Sequence, residues 1–564
     1  MVRELVAILA IVALSTLGCS TPTDREASID LLLLNGKVWT GNPGQPWAEW
    51  VAVSGDRITG VGSGESHPEA RKTIDLKGRL LVPGFNDSHV HFAQAGSLLL
   101  GVNLLDVSDD DLFRTRIAEA AARLPAGSWI TGGDWGAYEA WALGSDGTQR
   151  GETAYIPERA LIDEATPDHP VLVTRYDRKM GLANATALRE LGIESETGVL
   201  EGEQLDRACE AIPAKSRERS LAETRRGLEE CRKWGVTSVQ DMSALDQVGI
   251  YNELREQDEL TCRVHFSPSR LIEYEKMIAD GRTIGSGDEW IRFGTIKTHI
   301  DGIMGNRTAR FFEPYDDNPQ DQPDWRGGWR EFSGDLDEFE RMLVAADAGN
   351  VQLRVHAIGD EANSILFDML ERLGESNGER DRRLRVVHAQ VLRPEDFERI
   401  SELSIVAEVQ PYHCSDDMRW MEERIGHERS KGAYAFRSLI DAGADLAFGS
   451  DWPGTNASYY PVNPLYGIYA AVTRQTLNGA PEDGWFPAER VTLEEALRAY
   501  TWGGAYASFE DETKGTIAEG MLADLTVLDT DLFTEPPARW LEGRVDYTVV
   551  GGKVVYDRMR DEES

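Results

Sequence analysis

The sequence reads Leu80-Leu81-Val82-Pro83-Gly84-Phe85-Asn86-Asp87-Ser88-His89-Val90-His91, an apolar run that ends in two histidines separated by one residue. Residues two apart in an extended chain point to the same side, so both imidazoles can reach one ion. The run predicts a buried strand with a metal site at its carboxyl end. With ten histidines in 564 residues, about 0.2 such pairs are expected by chance, so this pair alone is a weak signal.

Three later apolar runs also end in a residue that can bind a metal ion. They lead into His356, His388 and Asp451. Taken singly, each histidine is more often a partly buried side chain with ordinary hydrogen bonds. Side chains at the carboxyl ends of successive parallel strands converge at one mouth of a barrel, where barrel enzymes have their active sites. Together with His89 and His91 they therefore predict a metal centre.

Lys297 lies in the middle of another strand-like run, Phe293-Gly294-Thr295-Ile296-Lys297-Thr298-His299-Ile300. One interpretation is a lysine that extends to the surface or pairs with Asp301. The other is a desolvated lysine that loses its charge and reacts with carbon dioxide. The resulting carbamate could bridge two divalent ions. His299, two residues further on, is a minor candidate for a supporting role.

The middle of the chain alternates short apolar strands with amphipathic helices. This alternation predicts a parallel sheet, and the length suits its closure as a (β/α)8 barrel of the TIM type; a doubly wound sheet stays open on the pattern alone. The predicted strands are 171–174, 237–240, 295–300, 352–355, 385–387, 404–408 and 445–448, and the predicted helices are 112–124, 221–234, 336–348, 361–373 and 493–500.

Both ends of the chain carry short β-strands. Neither end has enough strands to bury a sheet alone, so we expect the two ends to form one small β-sandwich. The predicted organisation is an N-terminal sandwich part at 29–84, a barrel at 85–504 that carries the predicted metal centre, and a C-terminal sandwich part at 505–564.

The overall charge restricts the partners. Asp and Glu number 97 against 59 Lys and Arg, a net charge of −38. This balance disfavours nucleic acid and anionic membrane surfaces and leaves a small-molecule substrate as the expected partner, with a homodimer compatible. Cys209, Cys231, Cys262 and Cys414 are scattered, which predicts buried free thiols rather than a disulfide framework; pairing of Cys209 with Cys231 after export stays open.

The first residues predict export. Arg3 is followed by an apolar run and then by Gly18-Cys19, a pattern typical of a secretory signal and too short to span a membrane. Gly18-Cys19 is similar to the end of a bacterial lipobox, where the cysteine is lipidated. We therefore expect a signal peptide at 1–19, a polar tether at 20–28 and a periplasmic or membrane-anchored lipoprotein. A plain signal peptide and an uncleaved anchor are the alternatives.

Six motifs in order resemble the amidohydrolase superfamily, in particular amidohydrolase family 3, from Asp30 to Asp557. They are Val82 to His91, Ile296-Lys297 with Asp301-Gly302, Val355-His356-Ala357-Ile358-Gly359-Asp360, Val387-His388-Ala389-Gln390, Gly449-Ser450-Asp451-Trp452-Pro453 and Gly520-Met521-Leu522-Ala523-Asp524-Leu525.

The resemblance implies a distorted (β/α)8 barrel beside a β-sandwich and two divalent metal ions, usually zinc. It implies that metal-activated hydroxide attacks a carbonyl while Asp451 acts as general base. The implied ligands are His89, His91 and Asp451 for the first ion, His356 and His388 for the second, and carboxylated Lys297 between them.

One segment departs from the family pattern, because Lys179 stands where relatives often have a histidine. A basic group there could favour an anionic substrate; a surface lysine is the alternative. The substrate-facing residues that the resemblance implies are Arg175, Lys179, Arg307 and His413. The expected activity is hydrolysis of an amide-like C–N bond in an N-acyl, N-formyl, cyclic amide or peptide-like molecule. Ester or other carbonyl hydrolysis, isomerisation, and ligand binding without turnover are the alternatives.

Overall fold

The computed structural model describes residues 29–105, 107, 109–135, 155–175, 178–455 and 458–562. The predicted signal peptide and tether at 1–28 lie outside these residues. Among the described helices, none is long and apolar enough to cross a membrane.

Two parallel sheets carry the centre of the molecule. In each sheet the strands are almost entirely buried, as expected when helices cover the outer face of a parallel sheet. The predicted strand 445–448 has the observed bounds. The bounds of the other predicted strands of these two sheets differ from the observed bounds by one or two residues at one or both ends. The first sheet contains Phe85–Val90, Val236–Asp241, Arg263–Phe266 and Ile291–Arg292, and the second contains Thr295–His299, Gln352–Ala357, Arg385–His388, Val406–Val409 and Asp445–Phe448.

The two sheets meet at two seams. At one seam Val90 forms a parallel bridge with Trp452, and Asp87 Oδ1 accepts hydrogen bonds from the backbone N–H of Ser450 (2.9 Å) and of His89 (3.1 Å). Gly449 allows this approach, because a Cβ there would lie 2.7 Å from the His89 nitrogen. At the other seam the Lys297 N–H donates to the Pro268 carbonyl at 2.9 Å. The architecture is TIM-barrel-like, as predicted.

Helices follow most of these strands. The predicted helix 336–348 has the observed bounds. Asp335 caps its N-terminus, because its side chain accepts a hydrogen bond from the Glu338 N–H. Thr492 and Glu495 form a capping box at the start of another. The helices of this part are Phe92–Leu100, Arg217–Lys233, Gln247–Glu256, Tyr274–Ala279, Leu336–Ala348, Asp360–Asn377, Asp396–Glu402, Pro411–Asp417, Met421–Ser430, Phe436–Asp441, Pro464–Thr473, Leu493–Arg498 and Gly504–Ala507, with a π-helical turn at Ala499–Gly503.

A five-stranded mixed sheet is inserted between the first two strands of the barrel. The predicted strand 171–174 lies in this sheet, and the predicted helix 112–124 belongs to the same inserted segment and not to the barrel. The strand–helix pattern did not separate this segment from the barrel. The insert has an apolar core of its own around Phe113 and Trp135. Its strands are Val102–Asn103, Ile130–Trp135, Val171–Arg175, Met180–Ala183 and Val199–Glu201, and its helices are Asp110–Arg123, Ala185–Leu191 and Gly202–Ala211.

Strands from both ends of the chain form the second β-structure, as predicted. Leu525–Leu528 pairs with Leu80–Pro83, which leads directly into the first barrel strand. A buried ion pair between Arg263 and Asp524 (2.6 Å) joins this unit to the barrel. One sheet contains Ile29–Leu34, Trp50–Ser54, Arg57–Gly62 and Ala70–Asp75, and the other Lys37–Trp39, Trp47–Ala48, Leu80–Pro83, Leu525–Leu528, Val545–Val550 and Lys553–Asp557.

The four described cysteines are free thiols. Cys231, Cys262 and Cys414 are buried, as expected, whereas Cys209 is exposed. Cys209 and Cys231 therefore do not pair in this structure.

Candidate metal centre

The first and last barrel strands bring three predicted ligands together. His89 is the second-to-last residue of the strand Phe85–Val90 and His91 follows the strand, and both face Asp451 across the seam. Asp451 Oδ1 lies 3.3 Å from His89 Nε2 and 3.2 Å from His91 Nε2. The three donor atoms lie within 4.8 Å of one another, which suits one metal ion.

A second cluster shares the same carboxylate. His388, His413 and Asp451 also place one donor atom each within 4.8 Å of the others. His413 Nε2 lies 3.6 Å from Asp451 Oδ2, and the ring of His413 stacks on that of His388 at 5.8 Å. The resemblance implies a substrate-facing role for His413; the structure places it on the cavity wall and in a cluster that could hold a metal ion.

His356 and Lys297 lie on the other side of His388. The rings of His356 and His388 are 4.6 Å apart. His356 Nε2 lies 2.9 Å from the Gly302 carbonyl oxygen, which fixes Nε2 as the donor and leaves Nδ1 free to bind a cation. Lys297 Nζ lies 3.3 Å from His299 Nε2. All six predicted metal-site residues thus surround one space.

Lys297 is a buried amine without a close counterion. Its side chain is 1% exposed, and among the described residues no carboxylate lies within 4.0 Å of it. Burial, and then the charge of Arg354, lowers the pKa of Lys297 to about 7. A large share of this amine is therefore neutral and nucleophilic near neutral pH.

Partners outside the site orient two of the imidazoles. His388 Nδ1 donates to Gln410 Oε1 at 2.6 Å, and His89 Nδ1 donates to Glu408. Arg354 Nη2 also lies 2.9 Å from His89 Nδ1. Because the ionised carboxylate can only accept, Nδ1 carries the hydrogen. In both rings Nε2 is then left as the metal-binding nitrogen.

Glu408 is the centre of a buried charge network that the sequence analysis missed. It accepts from Nε of Arg354 (2.9 Å) and from Nε of Arg385 (2.9 Å), and all three side chains are 0% exposed. Burial opposes its ionisation, but the two guanidinium groups hold the pKa of Glu408 well below its usual value. A signal existed in the sequence, because Glu408 ends the apolar run 404–408 much as Lys297 interrupts its own strand.

The protonation states suit a cation. Burial lowers the pKa of His89 to about 3 and holds that of His388 and His356 well below the usual value. Burial opposes ionisation of Asp451, but the neighbouring imidazoles, with His89 first, hold its pKa well below the ordinary range. His89, His356 and His388 are thus neutral imidazoles near an ionised carboxylate, and imidazole and carboxylate are the ligands that divalent zinc and similar ions prefer.

Two buried atoms complete this test. Among the described residues, Asp451 Oδ1 and His413 Nε2 have no partner with hydrogen-bond geometry. A buried polar atom without a partner costs free energy, and coordination of a cation would remove that cost. The residues present therefore fit a divalent ion.

The metal donors lie in a cavity of about 950 Å³. Lys179 lines this cavity, whereas Arg175 and Arg307 are not among its described lining residues. The Arg307 guanidinium donates to both carboxylate oxygens of Asp317, at 2.9 and 2.7 Å. The cavity wall also contains four aromatic side chains: Trp325, Trp329, Trp420 and Tyr460.

Comparison with known proteins agrees with this geometry. The family model described as "Amidohydrolase family" matches residues 72–556. "Protein LONG AFTER FAR-RED 3" of Arabidopsis thaliana is 33% identical, over 96% of this chain and 94% of its own length. "N-substituted formamide deformylase" of Arthrobacter pascens is 26% identical, over 94% and 98%. The crystal structure of "an uncharacterized metal-dependent hydrolase" from Pyrococcus furiosus superposes with a TM-score of 0.68 at 25% identity, covering 90% of this chain and 99% of that one. The chain therefore belongs to the amidohydrolase family and is a metal-dependent hydrolase.

Proposed function

We propose that this hydrolase cleaves an amide-like C–N bond in a small molecule such as an N-acyl, N-formyl or cyclic amide. The metal-binding residues of the proposal are two sets joined by one carboxylate and one lysine. His89, His91 and Asp451 would hold one divalent ion, His356 and His388 a second, and Lys297 would lie between them; zinc is the proposed metal.

Divalent ions supply Lewis acidity, which stabilises negative charge that develops on oxygen during attack on a carbonyl. Asp451 supplies the proton transfer. Its pKa lies well below the ordinary value, so the carboxylate is ionised near neutral pH. It can therefore take a proton from the attacking water and pass it to the leaving nitrogen. An amine is a poor leaving group until it is protonated, so this second transfer is needed for an amide more than for an ester.

Lys297 provides the bridging group of the proposal. The neutral Nζ amine adds to the carbon of carbon dioxide, a C–N bond forms, and one proton leaves to solvent, which yields a carbamate anion. Burial lowers the pKa of Lys297 to about 7, so the reactive amine is available without a strong base. An anion is also favoured there over an ammonium when cations are close.

One observation carries the proposal: the ionised Asp451 carboxylate lies where two groups of imidazoles meet, inside a cavity of about 950 Å³. A protein that only binds a ligand needs no base at this point. The name of one relative, "N-substituted formamide deformylase", supports a C–N bond as the target of this chain as well.

The test is a turnover assay with purified protein, first stripped by chelator and then reloaded with Zn²⁺. N-formyl and N-acyl amines, lactams and dipeptides are compared with ester analogues of the same acyl groups. We expect metal-dependent release of amine, lost in Asp451→Asn. Turnover confined to the esters would favour the alternative activity, and amide turnover that survives both chelation and Asp451→Asn would contradict the proposal.

A further inference from the structure

The cavity above the metal centre has a charge balance opposite to that of the whole chain. The chain has 59 basic and 97 acidic residues. Among the described residues that line the cavity outside the proposed metal ligands, the basic side chains are Arg178, Lys179 and Arg330, and the acidic one is Asp417. Such a reversal inside an acidic protein concentrates anions at the site.

Arg330 differs from the arginines around it. Arg307 and Arg424 both donate to Asp317, and Arg310 donates to Glu361 at 2.7 Å. Within the described part of the chain, no carboxylate oxygen lies within 4.0 Å of the Arg330 guanidinium, and its side chain forms no hydrogen bond. The guanidinium has therefore kept its five donors for solvent or for a ligand.

The backbone holds Arg330 at the mouth of the barrel. Its N–H donates to the Ile300 carbonyl at 3.0 Å, just beyond the strand Thr295–His299 that carries Lys297. The preceding residue, Trp329, forms a bridge with Asp301, and its ring packs against the Arg310 guanidinium at 5.3 Å. Arg330 thus extends from a fixed segment of the cavity wall and not from a free loop.

Apolar surface lies beside this cation. The rings of Trp325, Trp329, Trp420 and Tyr460 line the cavity, and Tyr460 also packs on His413 at 4.2 Å between ring centroids. Aromatic walls favour an apolar group on the ligand, and a guanidinium fork matches the two oxygens of a carboxylate. A ligand with both features would use both parts of the wall.

We propose that the substrate is an amide that carries an apolar group and a carboxylate, and that Arg330 binds this carboxylate. The inference rests on the proposed amide hydrolysis for the reacting bond, but anion binding by Arg330 can be measured without turnover. Lys179, on the inserted sheet, lies on the same cavity and adds positive charge.

The kinetic test uses two probes that differ by one carboxylate: N-acetylphenylalanine, as each enantiomer, and N-acetyl-2-phenylethylamine. In the wild-type holoenzyme we expect kcat/KM for one enantiomer of N-acetylphenylalanine to exceed kcat/KM for N-acetyl-2-phenylethylamine by about 10- to 100-fold. This is the range expected for one charged hydrogen-bonding pair. Arg330→Gln should remove most of this preference and change the neutral probe by less than about 2-fold. Arg330→Lys should keep part of it, because a charge remains without the fork.

Arg326→Gln is the matched control, because Arg326 lies four residues away and is not among the described cavity-lining residues. A second measurement needs no catalysis: calorimetric binding of 3-phenylpropanoate and of 3-phenylpropanamide to the holoenzyme. The acid should bind more tightly than the amide in wild type and in Arg326→Gln, but not in Arg330→Gln.

The outcomes separate the two proposals. Equal affinity of Arg330→Gln and wild type for 3-phenylpropanoate would overturn the role of Arg330, since the carboxylate would then be held elsewhere, for example by the metal ions. Equal turnover of both amide probes would also overturn it while leaving amide hydrolysis intact. Arg330-dependent binding without any amide turnover would support the anion site and contradict the proposed reaction.

Discussion

Replacing Glu408 with Gln should weaken both the fold and the metal centre. The carboxylate accepts from Arg354 and Arg385 and orients His89, and these three partners are at most 1% exposed. Glutamine keeps the shape and one acceptor oxygen, but it leaves two buried guanidinium groups without a negative charge. Breaking a buried ion pair from one side costs about 3–5 kcal/mol.

That loss can be converted into measurable shifts. An unfolding entropy of about 2.1 cal/mol/K per residue gives a chain of 564 residues a shift of about 1 °C per kcal/mol, so the melting temperature should fall by about 3–5 °C. The metal effect is separate, because His89 loses the partner that fixes its Nδ1 hydrogen. Loss of such a partner lowers metal affinity by about 10- to 100-fold. Calorimetric melting and titration with a competing chelator measure the two effects.

Glu510→Gln provides the control. Glu510 is also a buried carboxylate, 3.5 Å from His265 Nδ1 and 3.1 Å from Lys514 Nζ, but it is not among the described residues that line the cavity. We expect it to lower the melting temperature and to leave metal affinity unchanged. If Glu408→Gln lowers the melting temperature as Glu510→Gln does, with wild-type metal affinity, then Glu408 is a stability residue only and our reasoning about His89 is refuted.

Four further predictions follow from the same residues. About two divalent ions should copurify per chain, and elemental analysis that finds a fully active metal-free protein would contradict the site. Asp451→Asn should keep much of the metal but lose roughly 10²–10⁴-fold in turnover; wild-type turnover at unchanged metal content would remove its role as base. Lys297→Met should abolish metal binding, yet below pH 7 the metal-free variant should be more stable than the metal-free wild type. This stability difference should shrink between pH 7 and about 10, because the pKa of Lys297 is about 7 in the folded protein and about 10.4 in the unfolded chain. Melting curves of the two proteins across this pH range would contradict the prediction if the stability difference stayed constant. Fatty-acid labelling should occur in wild type and not in Cys19→Ala, and equal labelling would leave Cys19 an ordinary signal-peptide residue.

Local patterns in the chain were enough to predict a parallel sheet with helices and the donors at strand ends, and the family resemblance favoured the barrel over a doubly wound sheet. The alternation of His89 and His91, and the apolar runs before His356, His388 and Asp451, reflect hydrophobic periodicity and strand direction, which nearby residues determine. The predicted strand 445–448 and helix 336–348 match the structure for the same reason. The same periodicity could not separate the inserted sheet from the barrel, because Val171–Arg175 is as apolar as a barrel strand.

The chain's motifs and their resemblance to the amidohydrolase family predicted a TIM-barrel-like metal-dependent hydrolase with its donors at strand ends. The side chains that surround those donors became known from the folded arrangement. Glu408 lies 319 residues from His89 along the chain, and within the described part of the chain no carboxylate oxygen lies within 4.0 Å of the Arg330 guanidinium. Such pairings depend on how strands close around the barrel, so no local pattern records them: burial and charge act between side chains that are close in space, whatever their separation in sequence.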